Sequence, residues 1–191
     1  MIDSIESNFR RVIDSLKAQI FDIEYGKDSA EEKRYMRRPY FDELDEYEIQ
    51  RCHARNKLVI CIYSICEASL AEICTHYKVP LKFSPQNTSK KDYYLSDYLF
   101  SIGTDYTTKD NTNSSYVVYH AIRELRNNLT HDAKRVSEAV SAMKSVGFSG
   151  IENHCGTIQI KSAELLYEIL VRCSDMLLTC EHIAKQRKSK K

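Results

Sequence analysis

Apolar residues recur at steps of three and four along most of the chain, the spacing that places them on one face of an α-helix. The first such stretch covers residues 2–23, and Gly26 follows as a natural helix end. A second covers residues 42–77, and its part at residues 60–74 is apolar on most faces. A helix that is apolar all round is typical of a central position in a bundle.

Prolines divide the first half of this pattern. We expect Pro39 to separate a short helix from the long helix after it, because proline lacks the N–H that a helix interior uses. Pro80 and Pro85 mark the end of the long helix and open a polar loop. A further short helix is predicted at residues 92–102, before a loop rich in turn-forming residues.

The second half returns to helical spacing at residues 116–146, with a break after His131 as one option. Two short alternating runs around residues 154–156 suggest a small β-hairpin. Ser162 is a suitable N-cap for the last helix. The pattern therefore predicts an all-α fold of four to five main helices in one domain at residues 1–184, with a small β-hairpin before the last helix.

Composition narrows the class of protein. The chain has 191 residues, of which 42% are hydrophobic, and a net charge of +1. This hydrophobic content is too high for a disordered chain. The longest apolar run, at residues 58–62, is far shorter than the roughly 20 residues of a membrane span. Charges occur throughout the first residues, unlike a signal peptide. We expect a cytoplasmic protein that does not enter a membrane.

The end of the chain, residues 185–191, is strongly basic. It is either a solvated, disordered tail or an arm that contacts the phosphates of RNA. Its five basic residues are Lys185, Arg187, Lys188, Lys190 and Lys191.

The seven cysteines include no CxxC pair, and most fall inside apolar helical patterns. In a cytoplasmic chain such cysteines are mostly small buried hydrophobic residues. The alternative is a metal site that combines Cys52 with His53, or Cys155 with His154. Such adjacent pairs are weak evidence without a second set of ligands, so we expect neither a metal nor another cofactor.

The segment "RELRNNLTHDA" at residues 123–133 carries the most distinctive chemistry. On a helical wheel, Asn127 and His131 share a face roughly 160° from the apolar stripe. Arg126 borders that stripe. The group is either an ordinary polar surface or a phosphodiester site. Arginine pairs with phosphate oxygens, histidine transfers protons near neutral pH, and asparagine can orient either one. We expect it to face solvent, a cleft or a second subunit.

The sequence "RNNLTH" resembles the R-x4-6-H motif of the HEPN superfamily, and "YSICEASLAEIC" with the hairpin before the last helix resembles its prokaryotic defence and toxin nucleases. The resemblance implies a HEPN-like helical bundle and a metal-independent endoribonuclease that acts as a homodimer. Arg126, Asn127 and His131 would be its catalytic residues. Some HEPN toxins carry a tyrosine two residues after the histidine, where this chain has Ala133.

The resemblance also implies partners and an alternative. RNA would be the substrate, and an antitoxin or defence-system protein would be a partner. HEPN domains also act without catalysis, as nucleotide-binding modules or as partners of nucleotidyltransferase antitoxins.

Two further residues are expected to support the site. Glu67 lies among apolar neighbours, where a carboxylate needs a partner. It either pairs with a structural Arg or Lys, or holds the guanidinium of Arg126 in place. Thr130 lies inside the motif, directly before His131, and is assigned the same supporting role.

Overall fold

The computed structural model describes residues 1–78, 115–130 and 135–188. The short helix predicted at residues 92–102 lies outside these ranges, as do Pro80 and Pro85.

The described residues form five α-helices and one two-stranded antiparallel sheet. The all-α fold with a small β-hairpin before the last helix, predicted from the sequence, is confirmed. In chain order the elements are α1 (Ile2–Glu24), α2 (Ala30–His76), α3 (Ser115–Thr130), α4 (Val136–Ser145), β1 (Ile151–His154), β2 (Thr157–Ile160) and α5 (Ala163–Lys188).

The chain divides into two compact units, Met1–Leu58 and Val59–Lys191, and α2 contributes residues to both. In the first unit a capping box starts α2. The backbone N–H of Ser29 donates to the Glu32 carboxylate over 3.0 Å, and the N–H of Glu32 donates to the Ser29 hydroxyl over 3.3 Å. These reciprocal bonds satisfy two donors that a helix start leaves open. The bonds from Ser29 also hold the pKa of the Glu32 carboxyl below its usual value.

The sequence-based expectation that Pro39 ends a helix is wrong, because α2 continues through it. Proline inside a helix leaves the carbonyl of residue i−4 without its donor. Here that carbonyl belongs to Tyr35, which is 83% exposed, so water can take the donor's place. Arg37 also forms an ion pair with Glu24 of α1 and lies over the ring of Phe41. These contacts support the helix on both sides of the proline.

Inside the first unit, a buried carboxylate joins α1 to α2. Glu6 is 7% exposed and accepts hydrogen bonds from Arg55 at 2.6 Å and from Arg51 at 2.8 Å. Burial opposes ionisation of Glu6, but the hydrogen bonds and charges of Arg55 and Arg51 outweigh it. The pKa of Glu6 therefore lies below its ordinary value. The sequence patterns gave no indication of this cluster.

In the second unit, α3, α4, α5 and the hairpin surround a core of hydrophobic side chains, to which α2 contributes from Val59 onward. The largest fully buried members are Val59, Tyr63, Ile122, Leu125, Met143, Ile151, Ile160, Leu165, Leu166 and Ile169. The helix pattern at residues 116–146 is divided in two, since α3 ends at Thr130 and α4 starts at Val136.

The hairpin closes through the two residues Cys155 and Gly156. Both have positive φ, +49° and +80°, as a type I′ turn requires. The side-chain oxygen of Asn153 accepts the N–H of Gly156 over 3.0 Å. Ile151 pairs with Ile160 across the strands, and both are buried.

The last helix begins and ends with recognisable contacts. The hydroxyl of Ser162 accepts the N–H of Leu165 over 3.4 Å, so Ser162 is the N-cap that the sequence predicts. At the other end, α5 continues through Lys188, so part of the tail predicted to be disordered is helical. Lys185 pairs with Glu181 at 2.7 Å, one helical turn earlier, and this contact extends the helix.

Four of the five cysteines expected in apolar helix positions are buried: Cys66, Cys74, Cys173 and Cys180. This agrees with the expectation that such cysteines are mostly buried, and the fifth, Cys61, is exposed. Burial raises the pKa of the Cys74 thiol to about 11 and that of Cys180 to about 12, so both are protonated at neutral pH.

We predict that Glu6→Gln lowers the free energy of unfolding by about 3 kcal/mol at pH 7, because it removes the buried carboxylate that Arg51 and Arg55 share. The pKa of Glu6 is depressed in the folded protein. Its contribution is therefore complete above the unfolded pKa of about 4.3 and is lost as pH falls through the folded value. Urea unfolding at pH 7 and pH 3 should show the difference between parent and variant shrinking at the lower pH.

The matched control is Glu24→Gln, which removes an exposed ion pair with Arg37 and should cost less than about 1 kcal/mol. A Glu6→Gln effect as small as that of the control, or one that is equal at both pH values, would contradict a stabilising buried cluster.

Candidate functional site

Helix α3 positions the motif. Val118, Ile122 and Leu125 recur at steps of four and three and are buried, so they fix the face that α3 turns to the core. Arg126 follows Leu125 directly, at the border of this face. Its backbone therefore lies beside the core while its long side chain can reach either way.

The side chain of Arg126 turns toward the core. Its Cζ atom lies 5.5 Å from the ring centroid of Tyr63 on α2, within the distance of a cation–π contact. Its Nη1 donates to the side-chain oxygen of Asn127 over 2.9 Å. Its Nε is buried and has no hydrogen-bond partner among the described residues. The expectation that the whole polar group turns away from the core is thus wrong for Arg126, because the ring of Tyr63 attracts the guanidinium inward.

The charge of Arg126 has no carboxylate beside it among the described residues. Within residues 1–78, 115–130 and 135–188, no carboxylate forms an ion pair with its guanidinium. A half-buried guanidinium without a carboxylate attracts an external anion, because its surroundings screen it less than water does. A phosphate group offers the oxygen geometry that arginine prefers.

Two tyrosines hold the ring under Arg126. Tyr63 is 1% exposed, and its hydroxyl lies 2.5 Å from the hydroxyl of Tyr119 on α3. The two rings are stacked, with centroids 5.3 Å apart and an interplanar angle of 30°. The hydrogen bond and the stacking together fix the orientation of the Tyr63 ring relative to α3.

The hydroxyl of Tyr63 stays protonated at physiological pH. Burial raises its pKa well above the usual range, and the charge of Glu67 acts in the same direction, whereas the hydrogen bond from Tyr119 opposes them. Burial likewise raises the pKa of Tyr119, and Tyr63 adds to the effect. Tyr63 is therefore a neutral aromatic surface, so it contacts Arg126 without neutralising its charge.

Glu67 lies one helical turn after Tyr63 on α2 and is partly buried. Burial is the main cause of the raised pKa of the Tyr63 hydroxyl, and the negative charge of Glu67 adds to it. No ion pair between Glu67 and Arg126 occurs in the part of the chain that the structure describes.

The polar residues at the end of α3 bond largely to their own helix. Asn128 donates to the carbonyl of Glu124 over 2.9 Å. The hydroxyl of Thr130 donates to the carbonyl of Arg126 over 3.0 Å. Thr130 therefore stabilises the last turn of α3, and Asn127 is the one polar neighbour seen to hydrogen-bond the guanidinium among the described residues.

Several predicted site residues are not described. His131 lies outside the described residues, directly after α3, and Ala133, Lys190 and Lys191 also lie outside them. Arg187 and Lys188 belong to α5, but their side chains are not described. Lys185 is exposed and forms an ion pair with Glu181 over 2.7 Å.

Tyr63 and Tyr119 were not identified from the sequence. Tyr119 lies seven residues before Arg126, two turns earlier on the same helix. That spacing puts both on one side of α3, and it was available in the sequence. The partner Tyr63 is 56 residues before Tyr119, and no local pattern indicates this pairing.

No group of three or more His, Cys, Asp or Glu side chains that could hold a metal ion occurs among the described residues. Within the same ranges, α2 contains one window of 18 residues that is long and apolar enough to cross a membrane, and 39% of that window is buried. This is weak evidence for a membrane span, since the core helix of a soluble protein meets the same criterion.

Comparison of the chain with protein-family models, with curated proteins and with solved structures finds no match.

Proposed function

We propose that the protein is a metal-independent endoribonuclease of the HEPN type, with Arg126, Asn127 and His131 as its catalytic residues. The observation that carries the proposal is the half-buried guanidinium of Arg126, which no carboxylate compensates among the described residues and which lies on the helix leading to His131. A structural arginine in such a place is normally paired. An unpaired one is suited to bind a phosphodiester.

The proposed chemistry uses the ribose 2′-hydroxyl as nucleophile. His131 removes its proton or protonates the leaving 5′-oxygen. Arg126 stabilises the negative charge that develops on the phosphorane-like transition state, and Asn127 orients the phosphate or the histidine. The products carry a 2′,3′-cyclic phosphate and a 5′-hydroxyl. DNA cannot react this way because it lacks the 2′-hydroxyl.

The geometry of Arg126 supports this role. Asn127 accepts a hydrogen bond from Nη1, whereas Nη2 makes no hydrogen bond to a described residue. A guanidinium with part of its donor set open can bind phosphate oxygens without first breaking an ion pair. Such a bond is strengthened by the partly buried surroundings.

We propose that the nuclease serves as a toxin or an anti-phage effector, and that an antitoxin or defence-system protein controls it. The alternative is a module that retains phosphate binding but not cleavage, such as the partner of a nucleotidyltransferase antitoxin. The two differ in one measurement, since only the nuclease generates new RNA ends.

We predict that purified protein cleaves total RNA in the presence of EDTA. His131→Ala should reduce the rate by about 10²- to 10⁴-fold, the usual contribution of a general acid or base. Arg126→Ala should reduce it by about 10²- to 10³-fold, as loss of an oxyanion-stabilising donor does. The new 5′ ends should accept phosphate from a polynucleotide kinase without prior phosphatase treatment.

The control is Arg172→Ala, which removes the same charge from the surface of α5, where Arg172 lies 3.9 Å from Glu168. This variant should keep full activity, and circular dichroism of all variants should match the parent. Retention of RNA binding without cleavage by the parent protein would favour the binding module instead. Full activity of both site variants would show that the nuclease site lies elsewhere.

We also propose a homodimer in which two motif helices meet at one cleft. An isologous interface brings the same patch from both chains together, so two Arg126 residues would face one substrate. Light scattering should give twice the chain mass of 22.2 kDa. A mixture of Arg126→Ala and His131→Ala chains should regain part of the activity, because mixed dimers combine one intact arginine with one intact histidine.

Two results would contradict the shared cleft. One is a monomer at micromolar concentration. The other is a mixture that stays inactive although differently tagged chains demonstrably exchange partners.

The basic tail is predicted to bind RNA without taking part in catalysis. Replacing Lys185, Arg187, Lys188, Lys190 and Lys191 by Gln should flatten the dependence of RNA affinity on salt, by about 0.7 in logarithmic slope for each lost phosphate contact. Turnover at saturating RNA should not change. Lys185→Gln alone should have the smallest effect, since Lys185 already pairs with Glu181. An unchanged slope in the fivefold variant would rule out the tail as a phosphate-binding arm.

A further inference from the structure

We infer that Tyr63 is a positioning residue: the face of its ring holds the guanidinium of Arg126 where it can bind phosphate. Tyr119 in turn holds the Tyr63 ring in place. The effect on catalysis rests on the proposed function, but the positioning of Arg126 can be measured without RNA.

The first step concerns what Arg126 contacts outside its own helix. Among the described residues, the ring of Tyr63 is the one group on another helix with which Arg126 makes a ring contact, hydrogen bond or ion pair. Asn127 is its neighbour in sequence, so a bond to Asn127 cannot fix the side chain relative to α2. The cation–π contact is the restraint that can do so.

The second step concerns how rigid the ring is. Tyr63 is 1% exposed, so its side chain cannot leave the core without opening a cavity. Its hydroxyl is bonded to that of Tyr119, on the same helix as Arg126 and seven residues earlier. Tyr63, which contacts the guanidinium, is therefore hydrogen-bonded to α3, the helix that carries Arg126.

The third step concerns why a ring is better suited here than a carboxylate. A carboxylate would hold Arg126 strongly but would cancel its charge and compete with phosphate. An aromatic face attracts the cation through its quadrupole and leaves the full charge for an anion. Tyr63 must remain neutral for this purpose, because a phenolate would act as a carboxylate does. Burial and the nearby Glu67 keep the pKa of its hydroxyl high.

Glu67 lies one helical turn after Tyr63 on α2, and its negative charge adds to the effect of burial in keeping the Tyr63 hydroxyl protonated.

The test uses three variants of the full-length chain: Tyr63→Phe, Tyr63→Leu and Tyr119→Phe. The first readout is the NMR signal of the Arg126 Nε–Hε group, assigned by its loss in Arg126→Lys. In the parent this signal should show a ring-current shift and a nuclear Overhauser contact to ring protons of residue 63. Tyr63→Phe and Tyr119→Phe each remove the hydrogen bond between the two hydroxyls but keep both rings, so in both variants the contact to ring protons should remain while the signal broadens or shifts partly. In Tyr63→Leu the signal should move to the position of an unrestrained arginine.

The second readout is RNA cleavage. Tyr63→Phe should keep most of the activity, because the ring face remains. Tyr63→Leu should lower kcat/KM by about two- to thirtyfold, the factor that corresponds to a cation–π contact. Leu70→Ala removes a buried side chain of α2 two turns further on and serves as the control for lost stability. At a similar melting temperature it should leave both the NMR signal and the cleavage rate near those of the parent.

The outcomes separate the two proposals. Absence of a contact between Arg126 and the Tyr63 ring in the parent protein overturns the positioning role, and this measurement needs no variant to fold. An unchanged Arg126 signal in Tyr63→Leu overturns it as well. A parent protein that shows the contact but cleaves no RNA supports the positioning role and overturns the nuclease.

Discussion

The contact between Tyr63 of α2 and Tyr119 of α3 determines how the candidate site is built. It is a buried hydrogen bond between two side chains whose rings also stack, so it fixes both the distance and the rotation of α3 against this part of α2. Arg126 lies two turns along α3 from Tyr119, and this rotation is what brings its guanidinium over the Tyr63 ring. A different rotation of α3 would expose Arg126 to water, and Arg126 would then be an ordinary surface cation.

Two arginines of the chain are buried in different ways. The difference distinguishes an arginine that stabilises the fold from one that is suited to bind a ligand. Arg55 in the first unit is 3% exposed and shares the carboxylate of Glu6 with Arg51, so its charge is neutralised where it lies. Such a cluster holds two helices together and offers nothing to a ligand. Arg126 in the second unit is half-buried, and among the described residues it has an amide and a ring but no carboxylate. Its desolvation is incompletely compensated, and an anion would supply what is missing.

Much of the fold could be predicted from the sequence, because local rules decide it. Apolar spacing gave α1 and the pattern of the later helices, alternation gave the hairpin, and the hydroxyl of Ser162 gave the start of α5. Local rules failed where a distant contact or solvent decides the outcome. Pro39 does not end α2, since exposure at Tyr35 and the contacts of Arg37 reduce the cost of the proline. The ion cluster at Glu6 depends on side chains 45 and 49 residues apart, and no periodicity reveals it.

The geometry of the candidate site also depends on a contact between distant parts of the chain, which local sequence patterns do not show. The residue types at 126–131 suggested phosphate chemistry, and the helical wheel correctly placed Arg126 at the border of the apolar face. The direction in which a side chain at this border turns depends on its partner on another helix. That partner is Tyr63, which in the sequence looks like any other apolar position of α2. The sequence left two alternatives for Glu67, an ion pair with a structural Arg or Lys or a direct hold on the guanidinium of Arg126. Among the described residues Glu67 forms no ion pair with Arg126, and its charge raises the pKa of the Tyr63 hydroxyl. Among the described residues, Arg126 thus has a neutral ring where a carboxylate would cancel its charge, and this placement on the helix that leads to His131 suits the proposed role at a phosphodiester.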